Sequence, residues 1–270
     1  MSGRCNQTHV TQTSPLRMYP VFFRFFVFEA RSYYVLWAFA LLLFLYMALK
    51  RCTVKYGFEY QDVFPILITV YCFGIIGALV GAVIEKLPFV VFDKASVGIL
   101  LHGGTSSGFG ILCGGLAGSY RLHRKKMALG RFADAVSLPL AIMLSAGRVG
   151  CLLEGCCRGI IVQNSTFALH FPQDLPGIYR FPSQPLEITA AAMIAAIIYM
   201  VEKKYIGRYK SGLLFALFLV LYGAFRTAAD IFREQSADTA FKSGEILAVT
   251  AVVAGLFWLL KCLKTAAKQK

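Results

Sequence analysis

Charged residues are scarce in this chain of 270 amino acids: Asp, Glu, Lys and Arg make up 16%, against 57% for hydrophobic residues. A soluble domain of this size could not bury so much apolar surface, and the apolar residues occur in long runs. Acidic residues are scarcer still, 14 against 28 Lys and Arg. The composition therefore excludes an ordinary soluble protein and predicts an all-α, polytopic membrane protein.

Paired Cys-x-x-Cys motifs are also missing, although the chain has eight cysteines. Five are scattered, mostly in or beside apolar segments, which excludes a disulfide framework. The other three are Cys151, Cys156 and Cys157, and with His170 they could bind a metal. Because their spacing matches no paired motif, we favour a disulfide or ordinary packing, and we predict neither a metal nor another cofactor.

The net charge of +14 could indicate nucleic-acid binding. Many basic residues, however, lie at the ends of apolar runs, where they set membrane topology and attract anionic lipid. We therefore predict no nucleic-acid partner. Seven transmembrane helices are predicted, at about residues 33–49, 63–84, 97–119, 132–151, 186–200, 213–229 and 246–260.

The loops after the first, third, fifth and seventh spans contain 16 of the 28 Lys and Arg residues. The positive-inside rule then places the N-terminus outside and the C-terminus in the cytoplasm. Residues 1–32 are predicted to be a polar and interfacial segment, because the aromatic stretch at 19–30 is too short to span. The seven-helix domain covers 33–262, with an external insertion at about 154–185, and 263–270 form a basic cytoplasmic tail.

The end of the fourth span contains the first candidate site. Arg148 and Glu154 follow an apolar run, and a charge at membrane depth costs at least ~2.5–3.5 kcal/mol, so it usually has a function there. The neighbouring glycines, Gly147, Gly150 and Gly155, permit close approach of backbone or of a ligand. An anionic headgroup would suit such a site. The alternative is an internal ion pair that fixes a helix end.

The sixth span contains a second candidate. Tyr222, Arg226, Asp230 and Arg233 follow the spacing i, i+4, i+8 and i+11, which places them on one helical face. A salt-bridge ladder along the helix would explain the same spacing. Arginines near the outer ends of two different helices, Arg148 and Arg226, would instead suit a phosphate, because guanidinium binds phosphate bidentately.

Two weaker candidates remain. His102, followed by Gly103 and Gly104, could act as a base near the outer membrane surface, or be a satisfied core histidine. Ser183 and Gln184 lie in a turn that starts the fifth span. On its own, that turn is most simply an N-terminal cap.

Together these segments resemble the bacterial prolipoprotein diacylglyceryl transferase family. The resemblance runs from about residue 33 to residue 260 and rests on motifs in one order: a tyrosine in the first span, His102-Gly103-Gly104, Gly147-Arg148-Val149-Gly150, Pro182-Ser183-Gln184 with Glu187, Tyr222-Gly223-Ala224-Phe225-Arg226, and Ser243-Gly244-Glu245. It implies transfer of a diacylglyceryl group from phosphatidylglycerol to the lipobox cysteine of a secreted preprotein, in the bacterial inner membrane.

The resemblance also implies residue roles. Arg148 and Arg226 would hold the phosphate, His102 would take the thiol proton or orient a group that does, and Tyr222 would hydrogen-bond the phosphate or the base. The predicted substrate-binding residues are Tyr34, Gly103, Gly104, Gly147, Gly150, Glu154, Gly155, Ser183, Gln184, Glu187, Asp230 and Arg233.

The chain departs from the family pattern beside the predicted headgroup site. The usual Gly-Asn-Phe-x-Asn-Gly-Glu becomes residues 150–156, so that Glu154 replaces an asparagine and offers only acceptors if ionised. This carboxylate would repel phosphate unless Arg148 or Arg158 neutralises it, and that pairing would compete with the phosphate for the same guanidinium. Weaker use of phosphatidylglycerol is therefore expected. Two alternatives are a catalytically inactive lipid-binding paralogue and a small-anion transporter. The lack of an internal repeat speaks against the transporter.

Overall fold

The computed structural model describes residues 21–25, 28–87, 106–162, 168–171, 173–205, 211–233 and 243–267. These residues form seven α-helices: α1 Ser32–Lys50, α2 Tyr60–Lys86, α3 Ser107–Arg124, α4 Leu129–Glu154, α5 Ser183–Tyr205, α6 Leu213–Asp230 and α7 Ser243–Ala267. A π-helical turn, Arg51–Lys55, extends α1. The helical body agrees with the predicted fold class.

Six of the described helices are long and apolar enough to cross a membrane: α1 with its π-helical turn, α2, α4, α5, α6 and α7. The protein is thus a multi-pass helical membrane protein. The helix α3 is not among the six; its 18 residues include five glycines, and its last turn contains Arg121, His123 and Arg124. The predicted third span at 97–119 begins outside the described residues, so a seventh crossing stays a prediction.

A short β-hairpin before α1 amends the all-α prediction. Strands β1, Val21–Phe25, and β2, Phe28–Arg31, pair antiparallel, with Val21 opposite Arg31. The interfacial segment predicted at 19–30 therefore contains extended backbone. Aromatic and β-branched residues favour strands, and a chain reversal lets two short strands satisfy each other's backbone groups.

Consecutive helices run in opposite directions, which the contacts at their ends fix. At one end, called here the site end, Arg31 at the start of α1 contacts Glu154 at the end of α4, at 3.2 Å. At the opposite end, Arg51 after α1 contacts Glu202 in the last turns of α5, at 2.7 Å. Which end faces the cytoplasm stays a prediction.

A buried carboxylate fixes α6 against α4. Asp134 accepts hydrogen bonds from the backbone N–H groups of Gly212, at 2.6 Å, and Phe215, at 3.0 Å. These two N–H groups lie at the start of α6, where backbone donors have no carbonyl partner within the helix. Below this contact, α4, α5 and α6 share an apolar core that includes Ile198 and Leu214. The charged site lies on these three helices.

Candidate functional site

A buried carboxylate on α5 brings together the two arginines predicted to hold a phosphate. Glu187 is 5% exposed; its Oε2 lies 2.5 Å from Nε of Arg148 on α4, and its Oε1 lies 3.3 Å from Nη1 of Arg226 on α6. The two arginines therefore meet at the site end, as predicted. The carboxylate between them was expected near the substrate but not at the centre. A buried charge needs such partners, because an unpaired one costs several kcal/mol.

Two further charges complete this group. Asp230 lies 2.9 Å from Arg226 and 3.6 Å from Arg233, and Arg233 also approaches Glu187 at 3.8 Å. Arg226 and Asp230 thus share a face of α6, whereas Arg233 lies just beyond the end of the helix. The pairs Arg226–Asp230 and Asp230–Arg233 are those of the salt-bridge ladder considered as the alternative. We call these five residues the Glu187 cluster: three guanidinium groups face two carboxylates, which leaves one excess positive charge. Oδ2 of Asp230 is buried and has no hydrogen-bond partner.

A small cavity opens beside the cluster. Its lining residues are Leu144, Arg148, Glu187, Ala191, Tyr222, Phe225 and Arg226. The predicted functional Tyr222 therefore lies with both arginines, and its ring stacks on Phe218 with centroids 5.6 Å apart. The cavity has room for about one water molecule, so a larger headgroup requires the side chains to move apart.

The two glycines that flank Arg148 lie at the contact between α1 and α4. A Cβ atom on Gly147 would come within 2.8 Å of the Trp37 ring, and one on Gly150 within 3.3 Å of Leu36. Backbone approach, one of the two reasons expected for these glycines, is therefore present. It places the first turns of α1 against Arg148.

The serine and glutamine of the Pro-Ser-Gln motif hold the loop that follows α4. Gly155 ends the helix with a left-handed φ of 73°, and Cys157 has φ 56°. Ser183 donates from Oγ to the carbonyl of Cys157 at 3.1 Å, and Gln184 donates from Nε2 to the carbonyl of Cys156 at 2.8 Å. Both donors are buried. The motif thus positions the cysteine loop as well as starting α5.

Three thiols converge in this loop. The Sγ atoms of Cys151, Cys156 and Cys157 all lie within 4.8 Å of one another. All three are free thiols, so the disulfide considered from the sequence is not formed. Nη1 of Arg148 lies 3.9 Å from Sγ of Cys151, which connects the thiols to the Glu187 cluster.

Glu154 is neutralised by a residue that the sequence analysis did not consider. Its partner is Arg31 at 3.2 Å, whereas Arg158 pairs with Asp174 at 2.8 Å. Arg180 contacts the same Asp174 through two nitrogens, at 2.6 and 2.9 Å. The hydrogen bond from Arg180, with the charge of Arg158, holds the pKa of Asp174 below its ordinary value of 3.8.

The tyrosine predicted to bind substrate from α1, Tyr34, and its neighbour Tyr33 have different surroundings. Tyr34 is 67% exposed, and its ring meets Tyr33 edge-on at 5.3 Å. The backbone of Tyr33, in contrast, lies against Gly150 of α4. Of the two tyrosines, Tyr33 is therefore the one at the α1–α4 contact. Adjacent tyrosines point about 100° apart on a helix, so only the α1–α4 contact selects between them.

The remaining predicted site residues, His102, Gly103 and Gly104, lie outside the described residues. What the structure describes is a multi-pass membrane protein with a buried, positively charged cluster between three of its helices.

Comparison with known proteins specifies the family. The sequence matches the prolipoprotein diacylglyceryl transferase family over residues 20–261, and the chain belongs to that family of transferases. It is similar to three proteins named phosphatidylglycerol–prolipoprotein diacylglyceryl transferase. The Azospirillum brasilense protein is 28% identical over 69% of this chain and 72% of its own length. The Geobacter sulfurreducens protein is 26% identical over 88% of this chain and 92% of its own length. The Buchnera aphidicola protein is 23% identical over 91% of this chain and 96% of its own length.

Proposed function

We propose that this protein transfers a diacylglyceryl group from phosphatidylglycerol to the cysteine thiol of a prolipoprotein, at the outer face of a bacterial inner membrane. The observation that supports this most is the excess positive charge of the Glu187 cluster, which lies beside a cavity between membrane helices. Family membership and the names of the relatives supply the reaction.

The net charge of the Glu187 cluster is complementary to that of the phosphatidylglycerol headgroup. A phosphodiester headgroup has one negative charge, which matches the single excess positive charge of the five residues. Arg148 contacts Glu187 through Nε, while its Nη1 makes only a long contact with Cys151. A phosphate can therefore bind the terminal nitrogens of this guanidinium while the carboxylate holds it in place.

The same charge would favour the reaction itself. The acceptor sulfur forms a bond to the glycerol carbon, the bond from that carbon to the phosphate oxygen breaks, and glycerol phosphate leaves with the electron pair. The phosphate thereby gains negative charge, since a monoester carries about −1.5 to −2 at pH 7. Arginines then bind the transition state more tightly than the substrate, which is the condition for catalysis. His102 stays a candidate base for the thiol proton.

Lipid binding without catalysis is the second candidate. It is favoured by the closed state of the site, in which Arg148 and Arg226 are already ion-paired and the cavity has room for about one water molecule. Both functions require the same arginines, so only the formation of product separates them.

The deciding experiment uses the full chain in nanodiscs that contain phosphatidylglycerol. It is mixed with a peptide bearing a lipobox cysteine, and the mass of the peptide is followed. We expect the peptide mass to increase by one diacylglyceryl group. No increase is expected for a control peptide in which serine replaces the cysteine, or in nanodiscs that contain only phosphatidylcholine. Phosphatidylglycerol binding without product would support the second candidate. Rescue of cells depleted of their own transferase would test the same activity in vivo.

The proposed orientation has its own test. Reporter fusions after Arg124 and after Lys270 are expected to be cytoplasmic, and one at Gln173 is expected to be external. Gln173 donates to the carbonyl of Glu154, so it belongs to the site end. A cytoplasmic reporter at Gln173 would put the site on the wrong side of the membrane for a secreted acceptor.

A further inference from the structure

The three-thiol loop at the end of α4 has the dimensions of a metal site. Sγ atoms of Cys151, Cys156 and Cys157 lie within 4.8 Å of one another. A tetrahedral zinc ion with bonds of about 2.3 Å separates its sulfur ligands by about 3.8 Å. The thiols therefore need to approach by about 1 Å at most. Cys151 is buried and the other two are partly exposed, which leaves a path for an ion to enter.

The loop is held in this shape by contacts outside the cysteines. Cys157 has the left-handed φ of 56°, a conformation that costs about 1–3 kcal/mol in a residue other than glycine unless its surroundings fix it. Ser183 and Gln184 supply that fixation through the carbonyls of Cys157 and Cys156. A metal site requires ligands positioned in advance, and buried side-chain donors that hold the ligand backbone achieve this.

The neighbouring charges favour a divalent ion over free thiolates or a disulfide. Three thiolates alone would place three negative charges beside the predicted phosphate site, whereas a divalent ion reduces this to one. A monovalent ion would leave two. A disulfide would consume two sulfurs and leave the third without a role. Zinc accepts thiolate ligands both in closed sites, such as Cys₄, and in open ones, such as Cys₂His.

We propose that Cys151, Cys156 and Cys157 bind one Zn²⁺ as thiolates, and that the fourth coordination position takes the thiol of the acceptor cysteine. Catalytic zinc sites have this composition, with three protein ligands and one position for water or substrate. The contact of Arg148 with Cys151 places the three sulfurs beside the Glu187 cluster. The second half of the proposal rests on the proposed function, since it assumes that the substrate is a thiol.

The chemistry balances without an oxidant or reductant. The acceptor thiol loses its proton to solvent or to a base when its sulfur binds zinc. That sulfur then forms the bond to the glycerol carbon, the carbon–oxygen bond to phosphate breaks, and glycerol phosphate leaves with the electron pair. The product is a neutral thioether, a weaker zinc ligand than a thiolate, so it leaves the ion and restores the open position.

The metal half is tested by zinc binding to the reduced, full-length protein in nanodiscs, in competition with a chromophoric chelator. We expect one Zn²⁺ per chain. Cys151→Ser, Cys156→Ser and Cys157→Ser should each weaken binding by at least about 100-fold, the upper range even for supporting residues. Cys72→Ser is the matched control, because Cys72 is an exposed cysteine on α2, and its affinity should stay unchanged.

A second measurement uses only the wild-type protein, so it does not depend on the variants folding. Zinc should protect the two partly exposed cysteines of the loop from maleimide labelling, and mass spectrometry should identify them as 156 and 157. Labelling that is unaffected by zinc would overturn the metal site. So would a disulfide between two of the three loop cysteines that re-forms in air while zinc is present.

The acceptor half is tested with Co²⁺ in place of Zn²⁺. Adding the lipobox peptide should raise the sulfur-to-cobalt absorption, whereas its serine counterpart should not. An unchanged spectrum would remove the acceptor from the fourth position. This measurement needs no turnover, so its outcome is separate from the transfer assay. A protein that transfers lipid without metal would refute the role of zinc in binding the acceptor and leave the proposed function standing.

Discussion

Helix α5 carries a buried carboxylate near each end, and the two have different surroundings. Glu202, in the last turns, is 1% exposed and contacts Arg51 at 2.7 Å, Tyr56 at 2.8 Å and Lys55 at 2.9 Å. These partners come from a single segment that follows α1. Glu187, in the first turns, is bound by arginines from two separate segments, Arg148 on α4 and Arg226 with Arg233 at the end of α6.

The difference separates a structural ion pair from a candidate site. Arg51 also donates to the carbonyl of Ala135 at 2.9 Å, so the Glu202 contacts join α1, α4 and α5 at one end. The Glu187 cluster joins α4, α5 and α6 at the other end, but it lines a cavity. Burial and pairing are common to both clusters. The cavity distinguishes the second.

Removal of Glu202 should have the largest effect on stability. Glu202→Ala leaves the Arg51 and Lys55 charges without their carboxylate, and breaking a buried pair typically costs about 3–5 kcal/mol. We expect a clear fall in the thermal unfolding temperature in detergent. Transfer activity per folded molecule should stay near wild type, measured at a temperature below the new transition. Lost activity with unchanged stability would contradict the comparison.

The arginines of the Glu187 cluster should behave in the opposite way. Arg148→Ala and Arg226→Ala should each lower the rate of diacylglyceryl transfer by about 10²–10³, the usual effect of removing one donor to a developing charge. Lysine should rescue poorly at either position, because a point charge cannot replace the bidentate guanidinium. Steady-state rates in nanodiscs measure this, with Glu202→Ala as the stability control. Full activity in either alanine variant would remove that arginine from the mechanism.

The sequence predicted the helices more accurately than the contacts between them. Long apolar runs placed α1 and α6 within a residue or two of their observed ends, since a membrane helix must be apolar along its length. The fifth span was predicted too short, because the Pro-Ser-Gln turn and the lysines at 203 and 204 indicated its boundaries, whereas Ser183 and Glu202 are both buried within α5. A partner from another helix can neutralise a charge, and sequence spacing contains no information about that partner.

The same limit applies to the site: features local to one helix were predictable, and contacts between segments were not. The face of Tyr222, Arg226 and Asp230 was predictable because it is local to one helix. The pairing of Glu154 with Arg31 and the convergence of the three thiols were not, because both depend on how chain segments meet in space.

Acid should loosen the insertion after α4 before it affects the helices. The pKa of Asp174 is lowered by its arginine partners, so its contribution to stability is complete above the ordinary value of 3.8 and is lost as the pH falls through the lowered pKa. Hydrogen exchange of residues 168–181 should therefore quicken below about pH 4. Asp174→Asn should show the quicker exchange already at pH 7, whereas equal protection in variant and wild type would contradict the role of this carboxylate.

The smallest effect is expected at Glu154, where two substitutions should act in opposite directions. Its partner Arg31 is 60% exposed, so the ion pair is worth about 0.2–1 kcal/mol, and the carboxylate keeps part of its field near the proposed phosphate site. Glu154→Asn removes that negative charge and adds a donor for a neutral glycerol headgroup. It should raise transfer from phosphatidylglycerol by up to about fivefold, the rate equivalent of 1 kcal/mol.

Arg31→Gln is the matched variant, because it keeps Glu154 and removes the charge that neutralises it. Transfer should then fall by a similar factor, and the difference between the two variants should shrink at high salt, since exposed charges are screened. Rates from phosphatidylglycerol at two salt concentrations test both statements. If both variants lower the rate equally, the pair acts by holding α1 against α4, and the choice of donor lipid depends on other residues.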